Sequence, residues 1–409
     1  MCLHGPLSFS IGQDFAALTA LAEGALVGAN VDEAVPGFEI RLLKSGQVLY
    51  HQAFGEWSLD RPARADSSTK TLSGALMMSL AETAESGFAL DSELSEFLAE
   101  YDQAGLRDIT VRQAFSHTAG FEGQDATSLI LAAPNITLRR AAELISTKTL
   151  INGPAGSTFA YGGLSMHAAG AAAEVATGQS YVAFFAERIS TPLGLTDTQF
   201  VTASDSNPRV AGGAQSTATD FAKFMDMLLN GGIDRATGTR ILQETSVEEM
   251  LTRQTTDAQP IANSPLDNSR YGIGVWLDQL TQVGPGVDAL AGGARGFHSW
   301  IDASHDLVFA FATDLTTIAN VEVLSSTMHQ VILEAIAEPG DFNLDGQVDG
   351  ADYLNWQMDE RSAVDLLSWQ ANYGSSVTTF LVPEPSTGLL ILGGIMAFVT
   401  LCQYLVRRD

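Results

Sequence analysis

The sequence contains few of the residues that stabilise small secreted domains or build metal sites. Two cysteines occur in 409 residues, and Cys2 and Cys402 stand at opposite ends of the chain. That placement excludes a disulfide framework. The seven histidines show no spacing typical of a zinc site. A hydrophobic core must therefore stabilise the fold, and the chemistry must come from other side chains.

Basic residues are also scarce, with 21 lysines and arginines against 48 aspartates and glutamates. The resulting net charge of −27 argues against binding of nucleic acid or anionic lipid through the protein surface. We therefore expect no nucleic-acid partner. An acidic surface of this kind suits a soluble domain that works outside the cytoplasm.

The apolar pattern predicts both helices and strands. Apolar residues make up 45% of the chain, enough for one large core. Residues 36–44 and 47–55 predict a hairpin near the start, and residues 307–312 predict a strand far along the chain. Helical patterns such as 164–177 lie between them. We predict an α/β protein of the α+β type, in which an antiparallel sheet is flanked by helices, a helical lobe is inserted, and the site lies between the two.

A serine and a lysine three residues apart give the first indication of chemistry. Ser67 and Lys70 precede an apolar run, residues 71–80, that is typical of a helix buried on nearly every side. Positions three apart share a helical face, so the lysine can reach the hydroxyl. A partly desolvated lysine can act as a base toward serine. The pair alone is weak evidence, because serine is common in this chain.

The surrounding motifs make the pattern far more specific. Five blocks accompany Ser67–Lys70 in a fixed order: the hairpin of residues 36–55, Ser116-His117-Thr118-Ala119-Gly120, residues 154–163 with Tyr161, Pro192-Leu193-Gly194-Leu195, and residues 211–217. In order and spacing, the series resembles the serine β-lactamase-like superfamily, which comprises class C β-lactamases, DD-peptidases and related esterases. The resemblance covers roughly residues 13–337, which we assign to a hydrolase domain (1–337).

The resemblance implies a role for each matching residue. Ser67 would be the nucleophile, Lys70 its base partner and Tyr161 the second group that handles protons. A serine hydroxyl attacks a carbonyl only when a neighbour accepts its proton, and a phenolate needs adjacent positive charge. The alternative for Tyr161 is an aromatic residue that merely packs between helices. In this family His117 belongs to a structural turn.

Two positions depart from the family pattern. Gly163 replaces the asparagine of the Tyr-x-Asn motif, and Leu290-Ala291-Gly292-Gly293 lacks a cation where the family has Lys-Thr-Gly or His-x-Gly. An N–H group near Gly293 or Ala294, together with that of Ser67, is expected to form the oxyanion hole. Arg295 is a candidate for the missing positive charge, although an exposed or ion-paired arginine is the expected alternative.

These departures bear on the substrate. Without the third-motif cation that recognises a carboxylate, a neutral ester is the favoured substrate, and an ester has a better leaving group than an amide. We expect a serine hydrolase that forms an acyl-enzyme with small-molecule esters and needs no catalytic cofactor. A β-lactamase or a peptidase of the D-alanyl-D-alanine carboxypeptidase or D-aminopeptidase type is the alternative. A non-catalytic surface binding protein on a degraded hydrolase fold is another.

A calcium loop is predicted after the hydrolase. Residues 341–352 place oxygen ligands at alternating positions around Gly346, the spacing of a calcium-binding loop. The aspartate at position 12 makes the loop similar to dockerin segments, and we assign residues 338–376 to such a module; an acidic linker is the alternative. The expected Ca²⁺ ligands are Asp341, Asn343, Asp345, Gln347, Asp349 and Asp352.

The C-terminal region has the pattern of a sorting signal. Val382-Pro383-Glu384-Pro385 precedes an apolar run, residues 388–406, followed by two arginines. Such a run can form one transmembrane helix with its arginines in the cytoplasm. Residues 377–409 resemble the PEP-CTERM signal, which implies an exosortase-type processing enzyme and an extracytoplasmic location at the cell envelope or membrane; a plain tail anchor is the alternative. Residues 1–10 lack an export signal, so we expect either that the true start lies upstream or that the sequence is trimmed at its start.

Overall fold

A computed structural model describes residues 14–29, 31–83, 86–123, 129–280, 288–315 and 321–376. The predicted transmembrane helix, residues 388–406, and the sorting signal around it lie outside these residues. Among the described residues no helix combines the length and the apolar character needed to cross a bilayer.

The strands define the framework of the hydrolase. They are β1 (Gly37–Lys44), β2 (Gln47–Gly55), β3 (Ala63–Arg64), β4 (Phe159–Ala160), β5 (Gln199–Phe200), β6 (Ala203–Ser204), β7 (Asn207–Pro208), β8 (Ala214–Ser216), β9 (Ile261–Asn263), β10 (Trp276–Leu277), β11 (Asp288–Gly292), β12 (His298–Asp302) and β13 (Leu307–Ala312). The main sheet has the order β10-β11-β12-β13-β1-β2, and each of its neighbouring pairs is antiparallel. The first hairpin of the chain therefore pairs with strands from its far end, as the sequence predicted.

Helices cover the sheet and form the inserted lobe. They are α1 (Ala16–Leu26), α2 (Thr69–Ala81), α3 (Val111–Phe115), α4 (Leu138–Ile145), α5 (Leu164–Thr177), α6 (Tyr181–Phe185), α7 (Thr191–Leu193), α8 (Ala218–Leu229), α9 (Glu244–Met250), α10 (Val321–Ile336), α11 (Gly350–Met358) and α12 (Ala363–Asn372). The α1 and α10 helices contact each other, while α8 packs against β1, β12 and β13. The predicted helix at 164–177 is α5, with the same bounds.

The two faces of the sheet belong to different cores, because successive strand residues point to opposite faces. On β12, Trp300 belongs to the core that includes α1 and α10. Its neighbour Ile301 belongs to the larger core that includes α2, α5 and α8. The larger core thus connects the helical lobe with one face of the sheet, and α2 lies between the lobe and the sheet.

A short helical segment follows α10 and contacts the hydrolase. Its helices α11 and α12 are joined where Trp369 Nε1 donates to the Asp349 carbonyl oxygen, at 2.6 Å. The side chain of His305 lies next to this segment, with Nε2 3.1 Å from the Leu344 carbonyl oxygen. A buried carboxylate, Asp302, binds His305 Nδ1 at 2.7 Å and His329 Nε2 at 2.9 Å.

Candidate active site

The helix that carries the candidate site is buried along its whole length. All residues from Thr69 to Leu80 are buried, as the apolar run predicted. Its polar side chains bind backbone groups of the surrounding loops: Thr71 Oγ1 donates to the Gly274 carbonyl oxygen at 3.0 Å, and Ser73 Oγ donates to that of Val210 at 2.7 Å. Because buried polar groups are costly unless paired, these bonds fix α2 against loops on two sides.

Ser67 lies in the 3₁₀ turn, Asp66–Ser68, that leads into α2. Asp66 has a φ of +43°, in the left-handed region that residues with a side chain rarely adopt. The next serine, Ser68, is buried and donates to the Phe297 carbonyl oxygen at 3.1 Å. The turn therefore holds Ser68 in the core and leaves Ser67 partly exposed in a cleft.

Lys70 lies against the hydroxyl of Ser67. Its Nζ is 3.0 Å from Ser67 Oγ and 2.9 Å from the Ala211 carbonyl oxygen, and 4% of the residue is exposed. No carboxylate of the described residues lies within ion-pair distance of this amine. The amine therefore lies within hydrogen-bond reach of the Ser67 hydroxyl, the geometry that a proton acceptor for Ser67 requires.

The ring of Tyr161 also lies close to the Lys70 amine. The Lys70 Nζ is 4.6 Å from the centre of its ring, and the ring stacks on that of Trp276 with centroids 5.3 Å apart. Asn263 holds the backbone: the Tyr161 N–H donates to its carbonyl oxygen at 3.0 Å, and Asn263 Nδ2 donates to the Tyr161 carbonyl oxygen at 2.7 Å. The three residues expected to act together therefore line one cleft.

The buried side chain of His117 contacts Tyr161 and the residue that follows it. Burial, followed by the nearby Lys70 charge, holds the pKa of His117 well below its usual range. Its ring lies 4.5 Å from that of Tyr161, and its Nδ1 accepts a hydrogen bond from the Gly162 N–H at 3.4 Å. A neutral imidazole thus packs under Tyr161 and holds the turn after it, which agrees with the structural role expected for this residue.

The end of β11 approaches Ser67 closely. Gly292 is the last residue of β11 and pairs with His298, while the Gly293 N–H donates to the Phe297 carbonyl oxygen at 2.7 Å. Because this bond engages the Gly293 N–H, Gly293 is not available as a donor to the oxyanion. Within the described residues, the Ala294 N–H has no acceptor, so Ala294 is the candidate that remains.

Gly163 caps the start of α5 and lines the same cleft. Asn263, which no sequence motif indicated, brings an amide side chain to the cleft from β9. It lies about a hundred residues further along the chain than Tyr161. The amide that Gly163 lacks is therefore present near Tyr161, although Asn263 binds the protein backbone there.

Arg295 lies in ion pairs at the rim of the cleft. Its Nη1 is 3.3 Å from Asp66 Oδ2 and its Nε is 3.3 Å from Asp314 Oδ1, the ion-paired alternative named from the sequence. Burial raises the pKa of Asp66, and the guanidinium groups of Arg295, Arg209 and Arg64 oppose that rise without cancelling it. Arg209 is a second cation of this cleft, and the sequence analysis did not identify it.

The cleft has two parts that meet at Ser67. The first, the cationic pocket, has a volume of about 590 Å³ and includes Arg209 and Arg295 in its lining. The second, the apolar pocket, has a volume of about 370 Å³. Its apolar lining includes Trp276, Leu266, Leu290, Val321 and Val323. A substrate that places its reacting carbonyl at Ser67 can therefore extend in two directions with different chemistry.

The predicted calcium loop has a turn at its expected glycine, where Gly346 has a φ of +81°. Asp352 is buried and accepts hydrogen bonds from the N–H groups of Phe342, Asn343 and Asp349 at 2.7, 3.1 and 2.8 Å. Asp341 accepts from the Gly346 N–H at 3.0 Å.

The charges of this loop suit a cation. Burial, with the neighbouring carboxylates of Asp352 and Asp345, raises the pKa of Asp341 to about 6. No three acidic groups of the loop come within 4.8 Å of one another, and Asn343 and the Gln347 carbonyl provide the remaining oxygens. The donor set therefore fits Ca²⁺ in chemistry, and its carboxylates are held by backbone N–H groups.

Among the described residues, the acidic and histidine side chains that converge closely enough to hold a metal ion are those of Glu39, His51 and Asp60. Arg41 Nη1 donates to His51 Nδ1 at 2.9 Å, so His51 Nε2 carries the proton and donates to Glu39 at 2.6 Å. With both ring nitrogens engaged, this cluster is explained by its own hydrogen bonds.

Comparison with known proteins agrees with this architecture. Protein flp of Staphylococcus aureus is 23% identical over 176 residues, 41% of this chain and 35% of that protein. The chain therefore spans about a third of the length of the curated relatives it matches.

Two solved structures share the fold. The penicillin-binding protein homologue of Caulobacter crescentus has a TM-score of 0.63 and 17% identity, over 79% of this chain and 97% of that chain. EstCE1, a hydrolase with promiscuous acyltransferase activity, has a TM-score of 0.60 and 20% identity, over 80% of this chain and 100% of that chain. The Beta-lactamase family model matches residues 18–324, so the chain belongs to the Beta-lactamase family and has the fold of its serine hydrolases.

Proposed function

We propose that the protein is a serine hydrolase that cleaves carboxylic esters through an acyl-enzyme. The observation that carries this proposal is the 3.0 Å contact between Lys70 Nζ and Ser67 Oγ in an open cleft. A serine within hydrogen-bond reach of a buried amine is the arrangement that activates a hydroxyl for attack on a carbonyl.

The proposed reaction has two halves. Ser67 Oγ attacks the ester carbonyl while Lys70 takes its proton, and the N–H groups of Ser67 and Ala294 stabilise the oxyanion. The C–O bond to the alcohol then breaks, and Tyr161 gives a proton to the departing oxygen. In the second half Tyr161 takes a proton from the water that attacks the acyl-enzyme carbonyl. The bond to Ser67 Oγ then breaks, Lys70 returns its proton to Ser67, and the acid is released.

A fluorophosphonate probe tests the proposal on the whole protein. We expect Ser67→Ala to abolish labelling with little change in thermal stability, because one partly exposed hydroxyl contributes little to the core. The matched control is Ser68→Ala, which should keep the labelling and lose about 1 kcal/mol of stability with its buried hydrogen bond. Labelling that persists in Ser67→Ala would contradict the assignment.

A second candidate function is the cleavage of a β-lactam or of a D-amino-acid peptide. The presence of Arg209 and Arg295 in the cationic pocket favours this alternative, because such substrates carry a free carboxylate. The weaker leaving group of an amide opposes it in a site without the asparagine of the family motif. Rates on an aryl ester and on a chromogenic cephalosporin separate the two.

A third candidate, a surface binding protein without catalysis, follows from the replaced second and third motifs. The buried contact between Lys70 and Ser67 argues against it, because a binding protein has no need for a buried amine next to a hydroxyl. Failure of the probe to label the folded protein would favour this candidate.

We also propose that residues 341–352 bind Ca²⁺ in a dockerin-like segment. The ligands would be Asp341, Asn343, Asp345, Asp349 and Asp352 with the Gln347 carbonyl, and the ion would balance carboxylates that the fold brings together. The ion has no part in the hydrolytic reaction.

The sorting proposal rests on the sequence of residues 377–409. An exosortase-type enzyme would process this signal, and residues 388–406 would cross the membrane until that step. The hydrolase would then act outside the cytoplasm, at the cell envelope. Fractionation of cells that express the protein, with and without Pro383→Ala and Pro385→Ala, tests the location; a wholly cytoplasmic hydrolase would contradict it.

A further inference from the structure

The cleft next to Ser67 has a charge opposite to that of the whole protein. The chain carries a net charge of −27. Among the described residues, by contrast, the lining of the cationic pocket includes the guanidinium groups of Arg209 and Arg295 and one carboxylate, that of Asp66. An acidic surface repels anions in general, and a cleft of positive side chains concentrates the field locally. The positive charge of the cleft therefore indicates a negatively charged ligand.

Arg209 provides the most specific observation. Its Nε is buried and donates to no acceptor in the described part of the chain. A Cβ atom at Gly212 would lie 3.5 Å from this Nε, so the guanidinium lies against the backbone near the cleft floor. No carboxylate of the described residues forms an ion pair with it. Because this Nε has no exposed surface, an anion in the pocket would instead meet the terminal Nη groups of Arg209, which is half-buried and lines the pocket.

Arg295 faces the same pocket from the end of β11. Its ion pairs with Asp66 and Asp314 have long N–O distances of 3.3 Å, and 34% of its side chain is exposed. Those pairs use Nη1 and Nε and leave Nη2 without a hydrogen-bond partner in the described part of the chain. Arg295 therefore keeps a donor for a ligand.

We propose that the natural substrate is an ester that carries a second, free carboxylate, which Arg209 and Arg295 bind while Ser67 attacks the ester carbonyl. The inference rests on the proposed esterase function and names its substrate class. The uncharged remainder of the substrate would lie in the apolar pocket against Trp276 and Leu290. The sequence favoured a neutral ester because the third motif lacks a cation; these arginines provide the charge from other positions.

Two pairs of esters test the proposal on the intact protein. Mono-4-nitrophenyl glutarate against 4-nitrophenyl pentanoate places the carboxylate on the acyl side. Butyryloxybenzoate against its methyl ester places it on the alcohol side. We expect kcat/KM to favour the anionic member of one pair by about tenfold, the size of one charge-assisted hydrogen bond. Added salt should reduce this preference in the wild-type protein, because ions screen the attraction.

Variants connect the preference to Arg209. Arg209→Gln should bring the ratio of anionic to neutral kcat/KM close to one. Arg140→Gln, which removes the same charge from an exposed pair with Glu143, should leave the ratio unchanged. If Arg209→Gln does not fold, the wild-type ratio, its salt dependence and the charge-conserving Arg209→Lys still decide the question.

The outcomes separate the two proposals. Turnover of the neutral esters with a ratio near one in both pairs overturns the carboxylate inference and leaves the esterase proposal standing. A tenfold ratio that survives Arg209→Gln also overturns the inference. Absence of turnover on all four esters, together with absence of probe labelling, overturns the esterase proposal itself.

Discussion

Gly293 lies so close to Ala65 that a Cβ atom on Gly293 would be 2.4 Å from the Ala65 carbonyl oxygen. Ala65 immediately precedes the turn that carries Ser67. This contact sets the distance between the end of β11 and the turn that carries Ser67, so the position requires a residue without a side chain.

Gly293→Ala is therefore expected to push β11 away from the Ser67 turn. We expect ester kcat/KM to fall by at least about tenfold, since a small displacement of oxyanion donors is costly, and the melting temperature to fall as well. Gly350→Ala is the matched control, because its Cβ would meet no atom within 4 Å. Normal activity in Gly293→Ala would show that the strand end can move without affecting the site.

Lys70→Met is expected to reduce ester turnover about as far as Ser67→Ala does. Methionine retains much of the apolar stem and removes the amine that is 3.0 Å from Ser67 Oγ. The double variant should be no slower than either single variant, because members of one catalytic unit are not additive. Steady-state kinetics on an aryl ester measure this, with Lys148→Met as the control. Additive losses would indicate that the two residues act independently.

Ser67, Lys70 and Tyr161 could be proposed as site residues from the sequence, because each lies next to an element with a clear pattern. Lys70 follows Ser67 within one helical turn, and Tyr161 directly follows the short strand β4 in a recognisable block. Local spacing of this kind is visible in a linear chain.

Arg209 and Asn263 could not be predicted in the same way. Each lies in or next to a two- or three-residue strand and reaches the cleft through tertiary packing, which no local pattern reports. The choice between Gly293 and Ala294 was also beyond the sequence. It depends on one hydrogen bond from Gly293 to Phe297, which the turn after β11 creates.

The buried carboxylate of Asp302 is expected to stabilise the folded protein at pH values above about 4. Burial alone would raise the pKa of Asp302, but hydrogen bonds from His305 and His329 outweigh burial and hold that pKa well below its usual range. Because the pKa is lower in the folded state, ionised Asp302 stabilises the fold fully at pH values above its unfolded pKa of about 4. That stabilisation is lost progressively as the pH falls from about 4 toward the folded pKa.

Asp302→Asn should therefore lower the free energy of unfolding at pH 7 by about 3 kcal/mol, the size expected when one partner of a buried pair is removed. The difference from wild type should shrink as the pH is lowered from about 4 toward 2. Denaturant unfolding at several pH values measures both effects, and the exposed Asp108→Asn is the control. A difference that stays constant down to pH 2 would contradict the charge-based explanation.

Calcium is expected to stabilise the whole protein. Binding to the folded state alone adds about 2.7 kcal/mol when the ion is at a hundred times its dissociation constant. Thermal unfolding with excess Ca²⁺ and with a chelator should differ, and Asp341→Asn should reduce the difference. Asp359→Asn, outside the loop and exposed, should not. Identical unfolding curves in calcium and chelator would identify the segment as an acidic linker.

The burial of α2 on all sides has a consequence for how this protein tolerates mutation. Gly74 faces the Ile273 carbonyl oxygen so closely that a Cβ atom would lie 2.3 Å from it, and Leu76 is fully buried on the same helix. Protein interiors are packed tightly enough to transmit such strain. A substitution deep in this core therefore shifts the start of α2 and, with it, the adjoining turn that carries Ser67. Changes in the packing of this thirteen-residue helix would thus disturb the candidate site directly, so activity is expected to decline before the protein unfolds.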